Sequence, residues 1–263
     1  MQRALTPRML LGFAVLCALA AAALARSAAD RQAFLALNDA AFAALPAALP
    51  SSLTILGHGL VAVMLLAPFL RSAPGVLGAG LIAAPLGGVF SAVAKRIFHE
   101  PRPAAVLDPG LFHVHGELLR GNNSLPSGHA ITIFLVATVV LLGAPSVRAR
   151  APWALAVMAL AVLVAASRVM VGAHWPADTL AGAALGILAG VSGSWAAGRL
   201  DVWGRPRSIA LLALLVLACA VALTLADTGY PAALPVQWGS AALGAGAAAW
   251  ALLHLWRARG AEQ

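Results

Sequence analysis

Charge is scarce in this chain. Of its 263 residues only 10% are Asp, Glu, Lys or Arg, against about 25% in an ordinary soluble domain. That scarcity excludes a soluble globule, whose surface needs far more polar cover. Lysine is almost missing: there are 17 basic residues against 9 acidic ones, and Lys95 is the one lysine among them. The basic residues are spread between long apolar runs instead of forming a patch, so the net charge of +8 does not point to a nucleic-acid partner. Cysteine is reduced to Cys17 and Cys219, both inside apolar runs and with no CxxC spacing, which excludes a disulfide framework. Alternation of period two is lacking, which argues against a β-barrel. No repeat of 20–50 residues is evident.

What fills the chain is hydrophobic. Apolar residues make up 62% and the mean hydropathy is +0.90, which also excludes disorder. A hydrocarbon core about 30 Å thick takes roughly 17–25 apolar residues per helix. Eight runs qualify as candidates: Met9–Ala25, Leu53–Leu70, Pro74–Ala94, His129–Ala144, Pro152–Met170, Asp178–Ala197, Ser208–Ala226 and Val236–Trp256. The pattern predicts an all-α, polytopic transmembrane bundle of about eight spans. It divides into a first transmembrane helix (1–26), a core (27–198) and two extra C-terminal helices (199–263); the first reads as a retained signal anchor, with a signal peptide cleaved at Ala23-Leu24-Ala25 as the alternative. The segment Ser27–Pro50, with Phe34, Leu35, Leu37, Phe42 and Leu45, reads as an amphipathic helix at the outer interface. The last two runs read as lipid-facing or packing helices with small-residue interfaces such as Gly244-Ala245-Gly246.

The basic residues set the orientation. Arg3, Arg8, Arg71, Arg148, Arg150, Arg199, Arg205, Arg207, Arg257 and Arg259 fall on one side. By the positive-inside rule that side is cytoplasmic and holds both termini. Arg26, Arg31, Lys95, Arg96, Arg102, Arg120 and Arg168 fall on the other. The richness in Ala, Leu and Arg suggests a high-GC bacterium, whose outer face would be periplasmic. Arg96 and Arg120 read as boundary anchors, and His58 and His254 as structural residues.

Three polar clusters stand out against this background, and counting spans places all of them on the external face. The first runs from Lys95 to Pro103 and includes Arg102. The second is Pro126-Ser127-Gly128-His129. The third runs from Ser167-Arg168 through His174 to Asp178. Their composition suits an oxyanion. Arg forks match phosphate oxygens and Lys adds a point charge. Ser127-Gly128 opens a helix, whose free N–H groups form an anion cradle. Pro176 fits the first turn of the next helix, and Asp178 follows in that turn. Asp178 is four residues from His174, close enough to orient its ring as a nucleophile or base.

The clusters together resemble the signature of the type 2 phosphatidic acid phosphatase (PAP2) superfamily, which also includes vanadium haloperoxidases and glucose-6-phosphatases. The pattern K-x6-R-P is matched by Lys95, Arg102 and Pro103. P-S-G-H is matched by Pro126 to His129, and S-R-x5-H-x3-D by Ser167, Arg168, His174 and Asp178. The resemblance implies a metal-independent, cofactor-free acid phosphatase of the membrane-bound lipid phosphatase branch. In it His174 attacks phosphorus to form a phosphohistidine, Asp178 orients His174, and His129 protonates the leaving group. Lys95, Arg102, Ser127, Gly128 and Arg168 hold the phosphoryl oxygens. This agrees with the chemistry of phosphoryl transfer, which asks mainly for positioning and charge neutralisation.

A site at the outer membrane boundary implies a lipid phosphate or diphosphate as partner, with its tail in the bilayer and no nucleic acid involved. Undecaprenyl diphosphate, phosphatidylglycerol phosphate, phosphatidic acid and the lipid A phosphates all fit. A lipid phosphotransferase using the same intermediate, a vanadate-loaded haloperoxidase, and a non-catalytic lipid-phosphate binder or transporter stand as alternatives. A zinc cluster built on His113 and His115 with His99, Glu100 and Asp108 is a further one, though its spacing matches no common zinc pattern.

Overall fold

The computed structural model describes residues 6–144 and 151–260, and within them every regular element is helical. Arg148 and Arg150, counted on the cytoplasmic side, lie outside the described residues, as does Arg3. Helix α1 (Pro7–Leu24) starts at Thr6, whose hydroxyl caps the Met9 N–H, with Pro7 at the first position. Helix α2 (Ala28–Ala44) is capped by Ser27. Then come α3 (Ala48–Ile55) and α4 (Gly59–Leu66). After them α5 (Pro74–Phe98) stops at His99, which takes the left-handed conformation that ends many helices. A short α6 (Pro103–Val106) leads into a loop. The remaining helices are α7 (Gly128–Gly143), α8 (Ala151–Met170), α9 (Pro176–Ala197), α10 (Pro206–Leu225) and α11 (Leu234–Gly260).

Each of the eight apolar runs is helical. Five helical stretches are long and apolar enough for a full crossing, or six if the bent pair α3–α4 counts as one. Helix α7 has 16 residues, which rise about 24 Å and fall short of a full hydrocarbon core. Helix α11 is long enough, but Gln237 and its many small residues lower its apolarity. The run expected as one continuous span, Leu53–Leu70, is different in kind. It is two helices meeting at 72°, with the chain breaking at Leu56-Gly57-His58.

Helix α9 is the centre of the assembly and packs against α7, α1, α5 and α8. Its approach to α7 is set by Gly182, Gly186 and Gly190, a small-residue stripe at intervals of four. A Cβ on Gly182 would lie 2.7 Å from the carbonyl oxygen of Ser127, and one on Gly190 would lie 2.6 Å from Cβ of Thr138. A Cβ on Gly186 would collide with the Ile131 carbonyl. Without side chains there, the helix backbones come close enough for dispersion to hold them in an apolar solvent. The C-terminal contact expected at Gly244–Gly246 is half real: Gly244 faces Met64, whereas Gly246 faces open space.

Helix α2 does not match a simple surface helix. Its buried stripe is Asp30, Phe34, Asn38 and Ala41, while Phe42 is exposed. Polar residues point inward because the partner is an irregular protein segment with free backbone groups. Asn38 accepts from the His113 N–H at 2.7 Å and donates to the carbonyls of His113 and Met170 at 2.9 and 3.0 Å. Phe34 packs edge-on against Phe112 and beside Trp175.

The substitution Gly186→Ala is expected to destabilise the purified protein by about 1–3 kcal/mol. Gly246→Ala, with nothing near the added methyl, leaves stability unchanged. Thermal unfolding of both variants in detergent checks this, and equal melting temperatures would contradict the packing.

Candidate functional site

The end of α5, the start of α7, the end of α8 and the start of α9 meet at one end of the bundle, and the three polar clusters meet with them. Two backbone bonds make the junction. The Ser127 N–H donates to the Asp178 carbonyl at 3.0 Å, and the Arg102 N–H donates to the Gly121 carbonyl at 2.9 Å. The first ties the helix start at Gly128 to the start of α9. The second pins the Arg102 backbone to the loop before α7.

His174 and Asp178 lie one helical turn apart and are both buried. His174 Nδ1 is 3.2 Å from Asp178 Oδ2. The same oxygen accepts from Ser124 Oγ at 2.5 Å and from the Trp175 N–H at 2.9 Å. On its other side, His174 Nε2 is 3.3 Å from Nη1 of Arg102. A guanidinium can only donate, so Nε2 is the acceptor and carries a lone pair. Nδ1 then carries the proton and gives it to Asp178. The partners therefore select one neutral tautomer, with the unprotonated nitrogen facing the cations. Burial, followed by the nearby charges of Arg168, Arg102 and Lys95, pushes the imidazole pKa well below its usual 6.5.

Both arginines are buried, and each is held by neutral oxygens. Arg102 donates Nε to Asn123 Oδ1 at 2.8 Å and Nη1 to the Ala173 carbonyl at 3.0 Å. Arg168 donates Nη1 to Thr54 Oγ1 at 2.6 Å and to Tyr230 Oη at 2.7 Å. Among the described residues no carboxylate forms an ion pair with Arg102, Arg168 or Lys95. Lys95, half-buried on the last turn of α5, acts on the same ring through its charge. Three cations thus converge on one neutral imidazole and a single carboxylate, an arrangement that attracts a compact anion.

Ser127 is the N-cap of α7, with its Oγ accepting from the Ala130 N–H at 3.5 Å. Gly128 and His129 open the helix, and a Cβ at Gly128 would meet nothing. His129 lines an apolar cavity of about 380 Å³ between α4, α5 and α7. Its backbone is pressed by Gly57, where a Cβ would lie 2.8 Å from Cβ of His129. The break between α3 and α4 therefore brings bare backbone against this histidine.

Several residues of the site were not predicted from sequence. Ser124, Asn123 and Thr54 carry weak signals, and Tyr230 carries none, since it sits between apolar runs. Gln237, buried inside the last run, shows that this part of the chain is not free of polar work. Asp30 reaches from α2 to accept the Ala177 N–H at 2.9 Å, and burial raises its pKa to about 6. Arg26 bonds Glu100 at 2.6 Å and the Phe98 carbonyl at 2.9 Å. Three residues of the zinc alternative are engaged elsewhere: Glu100 with Arg26, Asp108 with the Gly110 N–H, and His113 stacked on Phe42. Among the described residues no group of three metal-ligating side chains comes together.

Comparison with known proteins agrees with the motifs. Residues 75–201 match the profile of the PAP2 superfamily. A lipid A 1-phosphatase of Porphyromonas gingivalis is 43% identical over 74 residues, which is 28% of this chain and 16% of that protein. An undecaprenyl-diphosphatase of Sulfolobus acidocaldarius is 37% identical over 98 residues, 37% of this chain and 44% of that protein. The matched stretches thus span less than half of these curated relatives. Among solved structures, Aquifex aeolicus LpxE superposes with a TM-score of 0.55 at 25% identity, covering 64% of this chain and 96% of that one. A transmembrane PAP2-type phosphatidylglycerolphosphate phosphatase from Bacillus subtilis superposes at 0.52 with 22% identity, covering 75% and 98%, a likeness of fold.

The ring of His174 is expected to stay neutral at pH 6.5, in the tautomer with the proton on Nδ1. A lowered pKa means that the neutral form survives as pH falls, until the lowered value is reached. Nitrogen-15 spectra of histidine-labelled protein, assigned with His174→Ala, check both points. A titration of His174 centred at or above 6.5 would contradict the geometry.

Proposed function

We propose that the chain, whose residues 75–201 match the PAP2-superfamily profile within a bundle of apolar helices long enough to cross a membrane, hydrolyses a lipid phosphate or diphosphate through a phosphohistidine. The observation that carries this reading is the unprotonated Nε2 of His174, buried among Arg102, Arg168 and Lys95 with Asp178 behind it.

The chemistry follows from those positions. The Nε2 lone pair attacks phosphorus in line, and the bond from phosphorus to the leaving oxygen breaks. Arg102 Nη1, which bonds Nε2 in the resting site, transfers that bond to a phosphoryl oxygen. Lys95, Arg168 and the Ser127-Gly128 helix start neutralise the other equatorial oxygens. As the ring becomes cationic, Asp178 balances its charge through Nδ1–H. Once the negative charge of the phosphate is bound beside it, His129 carries a proton, which it gives to the leaving oxygen. It then takes a proton from water, whose oxygen attacks phosphorus while the P–N bond breaks. His174 returns to its neutral form and His129 is again protonated.

The substrate's tail is accounted for by the apolar cavity beside His129. A leaving group seated there is within the membrane region while its phosphate meets the cations. The relatives' names support lipid A phosphates and undecaprenyl diphosphate as the substrate class. The basic residues outside the site support an orientation with both termini cytoplasmic and the site periplasmic, in a bacterial inner membrane. Three fixed cations supply the positive charge that a divalent ion would otherwise bring, so no metal is required.

Phosphate release by purified protein from a panel of lipid phosphates and diphosphates tests the reading. His174→Ala is expected to lower kcat by about 10³-fold or more, and EDTA to leave the rate unchanged. An active His174→Ala variant would overturn the phosphohistidine. Loss of activity in EDTA, restored by Zn²⁺ or Mg²⁺, would overturn the metal-independent mechanism.

A further inference from the structure

The chain has one tyrosine. It is Tyr230, in the short connection between α10 and α11, beyond the residues that match the family profile. Its ring is buried, and its hydroxyl oxygen accepts from Arg168 Nη1 at 2.7 Å. Thr54, one residue before the end of α3, accepts from the same nitrogen at 2.6 Å. An Nη nitrogen has two protons, so these two neutral oxygens use up Nη1. The Nε–H of Arg168 is buried and has no partner. A cationic N–H left bare inside a protein is costly enough to call for an explanation.

The position of Tyr230 is itself well fixed. Gln237 donates to the Leu223 and Ala226 carbonyls at 2.7 and 2.8 Å, which secures the end of α10. Thr228 donates to the Gln237 side-chain oxygen at 3.1 Å. Gly116 lies against the Tyr230 ring so closely that a Cβ there would stand 2.7 Å from it. The guanidinium carbon of Arg168 is 5.7 Å from the ring centre, within the range of a cation–π contact.

We propose that Tyr230 and Thr54 are positioning residues that clamp Arg168 by Nη1 and thereby present its Nε–H to a phosphoryl oxygen of the substrate. The two C-terminal helices are on this account part of the phosphate site, because they deliver Tyr230. The proposal rests on the reading of Arg168 as a phosphate ligand. Clamping acts on the transition state more than on binding of the lipid tail, so it affects kcat more than KM.

The test uses the full chain with Tyr230→Phe, Thr54→Val and Thr54→Ser. Turnover of a lipid phosphate and the binding of orthovanadate, a phosphate analogue, are both measured. Tyr230→Phe is expected to lower kcat and vanadate affinity by roughly tenfold each, with KM little changed. Thr54→Val does the same and Thr54→Ser restores both. In an Arg168→Lys background, Tyr230→Phe costs nothing further. Wild-type kcat and vanadate affinity in Tyr230→Phe, while His174→Ala is dead, would overturn the clamp and leave the phosphatase reading standing. Additive losses in the Arg168→Lys background would overturn it as well. Should Tyr230→Phe fail to fold, the Thr54 pair decides by the same criteria. An active His174→Ala variant would instead overturn the underlying reading.

Discussion

One carboxylate oxygen holds the site in register. Asp178 Oδ2 receives the Ser124 hydroxyl, the Trp175 N–H and His174 Nδ1, and the backbone carbonyl of the same residue receives the Ser127 N–H. These bonds bind the loop before α7, the turn before α9 and the first turns of both helices to one residue. Each donor is buried in surroundings without competing water, where a lost partner would be expensive. The glycine stripe on α9 is the condition for this arrangement. Gly182 lets the backbone of α9 come against the Ser127 carbonyl, and only at that separation can Asp178 bond across to α7. Packing between helices and geometry of the site are therefore the same constraint seen at two depths.

The signature residues were legible in the sequence because a membrane chain has few polar residues to spare. Lys95, Arg102, Ser127, Gly128, His129, Arg168, His174 and Asp178 stand out against apolar neighbours, and the structure brings them together at one end of the bundle. The helical class was legible for the same reason. What could not be read is where a contact is made by convergence alone. Ser124 and Asn123 look like ordinary loop residues until the loop folds over His174 and Arg102. Thr54 sits in a run of apolar residues that hydropathy joins into one span, and the 72° break is what turns it toward Arg168. Tyr230 is separated from Arg168 by 62 positions, and no local pattern records that pairing. Helix α2 was legible as a helix but not in its orientation. Hydropathy favours burying its leucines, whereas unpaired backbone groups near 113 and 170 draw in Asn38 instead.

Helix α2 and the residues before it form a collar around the irregular segments of the site. Arg26 secures Glu100 and the end of α5, Asp30 receives the Ala177 N–H at the start of α9, and Asn38 ties the His113 strand of the loop to the end of α8. All three fixings are made to backbone or to residues next to the cations, and none touches His174 itself. Loops that carry catalytic groups are ordinarily the softest part of a fold. Here the chain supplies a separate helix that ties the loops down, while His174 and Asp178 stay free of its direct contacts.

The choice of partners for the buried arginines closes the argument about charge. A buried guanidinium left alone would be very costly, and the simplest remedy is a carboxylate. Such a pair would cancel the positive potential and would itself carry a desolvation cost. This chain uses neutral oxygens throughout: Asn123 and the Ala173 carbonyl for Arg102, Thr54 and Tyr230 for Arg168. Oriented dipoles of this kind hold Nε and Nη1 of Arg102 and Nη1 of Arg168 and fix their direction without removing the net charge, which is what preorganised stabilisation of an anion needs. The one carboxylate in the cluster faces the histidine, where on the proposed mechanism it offsets a charge that appears only during reaction. The scarcity of acidic residues noted at the start is therefore not just a membrane trait. In this cluster it leaves the positive potential uncancelled and so available to the anion that the proposed reaction brings.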